Sequence, residues 1–210
     1  DRDREVLDVA ARDDARDDER AEKEGDEDVE AVVSRVRRRD RHDEADHAGH
    51  GETGDRRYLE FVTQTRQLAG WDARIVTGRW GLIEGHAYAH LCRCIAQLRL
   101  NRLQPDARLL KPTRDVMKFI TQENGLTITG EVGDHECWHD TQEGTANLGE
   151  SCATAYLVRW LDELLRMEGR PICGDLMERA ILNGLFAAQS PDGRRIRYYT
   201  PFDGPRSYWK

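Results

Sequence analysis

The first fifty residues use only Asp, Arg, Glu, Val, Leu, Ala, Lys, Gly, Ser and His, with no aromatic, proline, isoleucine or threonine among them. A stretch so poor in apolar side chains cannot bury a core, so any globular fold in this chain of 210 residues must be built by the rest of it. Residues 1–50 are therefore expected to be disordered or to form a lone charged helix. The same restricted alphabet is what a shifted reading frame in a GC-rich gene would produce, which makes a non-native segment the rival reading. From residue 51 the composition becomes that of an ordinary globular protein, and residues 51–210 are taken as one folded unit.

The net charge of -8 argues against a general nucleic-acid binder, which needs a basic face to neutralise phosphates. Arg35 to Arg41 is a basic run, but acidic residues crowd both of its sides, the pattern of a solvated mixed-charge segment. No apolar stretch approaches the roughly 20 residues that span a bilayer, and no signal-peptide core follows the charged start. Five cysteines, an odd and scattered set, fit a reducing compartment better than a secreted disulfide scaffold. A cytoplasmic location is expected on these grounds, although a chain that starts at Asp1 leaves its true beginning open. Cys92, Cys94 and Cys173 are expected in the core, and nothing in the sequence sets an oligomeric state.

Beyond residue 51 the apolar residues recur at helical spacing. Asp55 can cap a helix through Tyr58, Leu59, Phe61, Val62 and Leu68 that ends at Gly70. A second helix is predicted over 84–103, a third opening at Pro105-Asp106 and running to Ile120, a fourth over 151–167 and a fifth over 174–189. Three openings look alike: Thr53-Gly54-Asp55, Gln104-Pro105-Asp106 and Cys173-Gly174-Asp175. A repeated helix start implies stacked helical hairpins, either an open solenoid or a closed α/α toroid. After the turn Ser190-Pro191-Asp192-Gly193, the run Arg195 to Tyr199 is expected to form one strand of a hairpin.

The chemistry-bearing residues concentrate in one stretch. His135-Glu136-Cys137-Trp138-His139 is followed by Glu150-Ser151-Cys152, with Gly149 before it and a helix after it. Glu150 and Cys152 can share a metal if Glu150 lies in the non-helical approach and Cys152 in the first turn, where the helix N-terminus should favour a thiolate. Glu136 could face Glu150 across a sugar-sized pocket, and Trp138 could supply a flat surface for a sugar ring. A polar loop with an N-cap glutamate and a buried cysteine is the plain alternative. A separate zinc site of His135, Cys137 and His139 would require a true β conformation there.

Gly149-Glu150-Ser151-Cys152-Ala153, then Asp175-Leu176-Met177-Glu178-Arg179-Ala180-Ile181-Leu182-Asn183-Gly184, then Ser190-Pro191-Asp192-Gly193-Arg194-Arg195 with Tyr198-Tyr199, resemble the family 127 glycoside hydrolases, the β-L-arabinofuranosidase relatives. Thr53-Gly54-Asp55 with Arg57-Tyr58-Leu59, and Gly85-His86-Ala87, are similar to the family too, so the resemblance covers roughly residues 52 to 209. It implies an all-α fold of helical hairpins forming part of an (α/α)6 barrel, and a retaining glycosidase with a cysteine nucleophile beside zinc. Glu150 and Cys152 are then two of four expected zinc ligands, Glu136 is the acid/base with Asp134 as a weaker rival, and His86 contacts the sugar, with His90 one turn further on.

Two departures qualify that resemblance. The family's His-Gly-Glu motif appears here as His135-Glu136 without the glycine, and the adjacent cysteine pair that supplies the nucleophile is expected beyond Lys210. The reading is therefore a fragment of a zinc-dependent glycosidase for L-arabinofuranosides or related plant glycans, inactive by itself. The rivals are a non-catalytic α/α-repeat module that binds carbohydrate or protein, and a metal-independent α/α-toroid glycosidase.

Overall fold

A computed structural model describes residues 54–79, 85–143 and 147–203. The charged segment 1–50, the Thr53 start of the first repeated opening and residue 84, where the second helix is expected to begin, lie outside the described residues. The fold is all-α. Among the described residues, β pairing is limited to isolated bridges.

The helices begin where the sequence provides caps. α1 (Arg56–Glu60) continues into a π turn (Phe61–Thr65), and Asp55 caps it by accepting from the Arg57 amide at 2.9 Å. α3 (Ala107–Gln122) starts identically: Asp106 accepts from the Arg108 amide at 2.9 Å, and each aspartate also holds the guanidinium of the arginine two residues on. Between them, α2 (Ala87–Leu103) is capped by His86. α4 (Ser151–Glu168) follows Glu150 and stops at Gly169. The third expected opening is displaced, because α5 (Pro171–Arg179) starts at Pro171 and Asp175 lies inside it. Proline has no amide hydrogen to satisfy in a first turn and a φ already suited to it, which makes Pro171 the stronger start signal. α5 runs on through a π segment (Ala180–Leu185) into the short α6 (Phe186–Ala188).

These elements pack as consecutive hairpins, with α4 against α2 and α5, and α3 against α2. The core joins Leu91, Ile95 and Leu98 of α2 to Val116, Phe119 and Ile120 of α3 and to Leu157, Trp160, Leu161 and Leu164 of α4. Cys94 and Cys173 lie in the same core, and Cys92 is buried in α2. Gln97 reaches from α2 to the Leu68 and Trp71 carbonyls at 2.8 and 3.0 Å, tying down the 3-10 turn Leu68–Gly70. At the rim, Glu163 of α4 pairs with Arg99 and Arg102 of α2 at 2.8 and 2.9 Å.

The expected hairpin after Gly193 is reduced to two separate bridges. Ile196 pairs with Gln189, and Tyr199 pairs with Glu150. The second bridge delivers the end of the described chain to the start of α4, where the chemistry-bearing residues gather.

Candidate active site

Residues 134–137 form a tight turn, the Asp134 and Cys137 amides each donating to the other's carbonyl at 2.9 Å. His135 and Glu136 occupy its two central positions with φ of 49° and 65°. Both angles lie in the left-handed region that costs a non-glycine residue about 1 to 2 kcal/mol, and strain of this kind collects where a side chain must be aimed. The turn is clamped from both sides. Ala87 and Trp138 amides donate to the Glu136 and Gly85 carbonyls at 3.0 Å, and Asp134 bridges Leu148. The turn and the start of α2 are therefore one rigid corner.

The return strand of this corner fixes Glu150. Gly149 and Glu150 amides donate to the Gly133 and Val132 carbonyls at 2.9 and 3.2 Å, leaving Glu150 as the N-cap residue of α4 with no capping bond from its own carboxylate. Gly149 has φ +73, and a Cβ there would lie 2.5 Å from Thr200 Oγ1 and 3.0 Å from Glu131 Oε1. Gly149→Ala is expected to destabilise the fold by about 2 to 4 kcal/mol, combining left-handed strain with overpacking. Urea denaturation would measure this, and a loss below about 1 kcal/mol would contradict the close approach.

Three of the sequence-predicted site residues, Glu136, Glu150 and Cys152, meet at a fourth side chain. The Tyr198 hydroxyl lies 2.6 Å from Glu136 Oε1, 2.7 Å from Glu150 Oε1 and 3.4 Å from Cys152 Sγ. The Cys152 thiol also donates to Glu150 Oε1. A phenol has one proton and cannot donate to two carboxylates at once. The hydroxyl proton can favour only one carboxylate at a time, so Glu136, Tyr198 and Glu150 form one hydrogen-bonded group. The two carboxylates consequently meet across one hydroxyl and do not face each other over a sugar-sized gap, correcting that expectation.

His86 completes the group. Its Nδ1 accepts from the Ala89 amide at 3.0 Å as the cap of α2, which leaves the ring proton of the neutral form on Nε2. That nitrogen stands 3.4 Å from Glu136 Oε2. His90, one turn on, is fully buried with its ring between Trp71 and Trp138, at centroid distances of 5.0 and 5.6 Å.

Burial governs the electrostatics. Glu150 is 0 % exposed, and burial raises its carboxyl above the usual range despite hydrogen bonds from Cys152 and Tyr198 that favour the charged form. The Cys152 thiol is raised well above its ordinary value, first by burial and then by the Glu150 charge. Burial and the Glu150 charge thus oppose the thiolate that the helix N-terminus favours: the dipole supplies about 0.3 to 1 kcal/mol, less than the cost of a buried charge beside a carboxylate. Tyr198 is likewise raised, by burial first.

The remaining expectations divide. Trp138 is 0 % exposed, with Phe119 and His90 edge-on to its ring, so it supports the corner from within the core and has no free face for the expected sugar stacking. The separate His135, Cys137, His139 zinc site does not form. The tight turn breaks the alternation, leaving His135 exposed while Cys137 and His139 are buried. Burial pushes the Cys137 thiol up to about 11, suiting an inert protonated side chain. Tyr198 is the site residue for which sequence reasoning assigned no role. Its signal was the Tyr198-Tyr199 pair within the run that carries the resemblance.

Whether this group could hold zinc turns on its donors. Glu150 Oε2 is buried without a hydrogen-bond partner, a costly state for a carboxylate oxygen that a cation would relieve. With Cys152 Sγ beside it, the corner offers an oxygen and a sulfur donor of the types zinc accepts. Among the described residues no set of three or more His, Cys, Asp or Glu is arranged around a metal position. The donors fit as part of a tetrahedral set.

A protein family described as β-L-arabinofuranosidase, GH127 catalytic domain, matches residues 3–209. Solved structures agree at the level of the fold. A GH127 β-arabinofuranosidase superposes with a TM-score of 0.66 at 22% identity, covering 80% of this chain and 29% of that one. A GH127 β-L-arabinofuranosidase from Geobacillus stearothermophilus T6 gives 0.51 at 28% identity, over 56% of this chain and 19% of that one. A protein described as a glycoside hydrolase gives 0.62 at 16% identity, over 74% and 30%. The chain thus spans less than a third of the length of these structures. No curated protein matches the sequence. The helical-hairpin architecture is consistent with a sector of a helical barrel.

Proposed function

Because this chain belongs to the GH127 β-L-arabinofuranosidase catalytic-domain family, we propose that it is part of a retaining glycoside hydrolase whose substrate is a carbohydrate carrying L-arabinofuranose or a related sugar. The observation that carries this reading is the single Tyr198 hydroxyl shared by Glu136 and Glu150, next to Cys152. Glu136 is the proton donor to the departing glycosidic oxygen and the base in the second half-reaction. His86 Nε2 stands 3.4 Å from its second oxygen, and the strained turn aims the carboxyl. The Tyr198 hydroxyl, 2.6 Å from Glu136 Oε1, holds that carboxyl in place.

Glu150 and Cys152 are the residues that would hold zinc. When bound, the metal would keep the Cys152 sulfur as thiolate and add positive charge to that side of the site. Among the described residues, Cys152 is the thiol that donates to Glu150 and meets the Tyr198 hydroxyl, and this reading occupies it with the metal. The attacking cysteine therefore has to come from elsewhere, and these residues alone are proposed to be inactive. The decisive test is hydrolysis of an aryl β-L-arabinofuranoside by the complete catalytic domain. A zinc-loaded, folded protein that cleaves no furanoside or pyranoside would reject the reading.

The metal-free thiol sets a pH dependence. Its pKa lies above the ordinary cysteine value, so zinc binding near neutrality must release the thiol proton. Apparent zinc affinity should rise about tenfold per pH unit from 6 to 8 for one released proton. Glu150→Gln and Cys152→Ser should each weaken it by at least about tenfold to a hundredfold. Competition with a chromophoric chelator measures both effects, and equal affinity in both variants would remove zinc from the site.

A further inference from the structure

Glu131 is a buried carboxylate with no part in the proposed chemistry, being 1 % exposed. Thr129 Oγ1 donates to its Oε2 at 2.7 Å, and its own amide donates to Thr127 Oγ1 at 2.8 Å. The Thr200 hydroxyl bonds its Oε1 and also stands 3.0 Å from the Gly149 carbonyl. Two glycines make room for the group. A Cβ on Gly184 would fall 2.5 Å from Glu131 Cγ, and one on Gly149 would fall 3.0 Å from Oε1. A carboxyl is expensive to bury, and an apolar side chain would fill such a space at less cost. What the carboxyl adds is a fixed hold on Thr200.

That hold reaches the active site in two residues. Thr200 donates its amide to the Gly149 carbonyl at 3.0 Å, Tyr199 bridges Glu150, and the Ser151 amide donates to the Tyr198 carbonyl at 2.8 Å. Segment 198–200 is thus laid along 148–151 in one register, and only in that register does the Tyr198 hydroxyl fall between the two carboxylates. We propose that Glu131 is a positioning residue: through Thr200 it fixes this register and so holds the Tyr198 hydroxyl between Glu136 and Glu150. The inference rests on the proposed glycosidase reading for its catalytic consequence, but not for its structural one.

The test uses Glu131→Ala, Glu131→Gln and Thr200→Val in the complete catalytic domain, with Glu136→Gln as the control for chemistry. Glu131→Ala and Thr200→Val should lower kcat about tenfold to a hundredfold, the cost of misplacing a reacting group, while KM stays within about twofold. Glu131→Gln keeps the shape and most of the hydrogen bonding, and should restore kcat to within a few-fold. In the same proteins, amide exchange at Ser151 and Thr200 should accelerate in the first two variants while amides in α3 remain protected. Folded Glu131→Ala or Thr200→Val protein with wild-type kcat overturns the proposal, whatever its melting temperature. If Glu131→Ala does not fold, Thr200→Val decides, since it exchanges the hydroxyl for a methyl of similar size and leaves Glu131 in place. If the wild-type domain hydrolyses no glycoside, the functional reading falls and amide exchange alone decides: unchanged protection at Ser151 and Thr200 then overturns the register hold.

Discussion

Glu136→Gln in the complete catalytic domain is expected to lower kcat/KM on an aryl β-L-arabinofuranoside by about a hundredfold to ten-thousandfold, the range that a positioned general acid contributes. Glutamine preserves the shape of the side chain and its contact with the Tyr198 hydroxyl, but carries no transferable proton. The loss should be greatest for aryl groups that leave poorly and smallest for those that leave well, since a good leaving group needs little protonation. Stability should hold or rise, because one of two closely placed carboxyls has been neutralised. Rates across a series of leaving groups provide the measurement. A variant whose rates track the wild type throughout the series would return Glu136 to a purely structural role.

The second large effect concerns the core beneath the site. Trp160 is 0 % exposed in α4, and its indole donates to Thr113 Oγ1 of α3 at 3.2 Å. Trp160→Ala should cost about 3 to 5 kcal/mol, from lost transfer energy and the cavity left between the helices. The buried Thr113 hydroxyl would lose its donor as well. Trp160→Phe, which keeps most of the volume, should recover more than half of the loss, leaving mainly the missing hydrogen bond. Urea denaturation distinguishes the two, and equal losses in both variants would mean that the hydrogen bond outweighs the packing.

The caps were legible because their chemistry is local. Asp55 and Asp106 each need only an amide two residues ahead, and both helices start where those aspartates stand. The third opening misled because Asp175 imitates the pattern while Pro171, four residues earlier, satisfies the stronger backbone requirement. In the site, Glu136, Glu150 and Cys152 were legible from spacing and resemblance, and the structure brings them together. The role of Tyr198 was not, because it depends on a return across 48 residues to Glu150 that no local pattern encodes. Trp138 was misjudged for a related reason. Its side of the chain is set by the turn at His135 and Glu136, and a turn with two non-glycine left-handed residues has no sequence signal of the usual Asn-Gly kind.

The distance of Tyr198 along the chain also orders events during synthesis. By the time Cys152 has left the ribosome, Glu136, Glu150 and the thiol are all present, yet the hydroxyl that joins them is still untranslated. Until segment 198–200 docks along 148–151, a nascent chain has a carboxylate pair with no common hydrogen bond and an uncovered start to α4. The junction of Glu136 with Glu150 through one hydroxyl is thus open only to a chain that already includes residues 198–200.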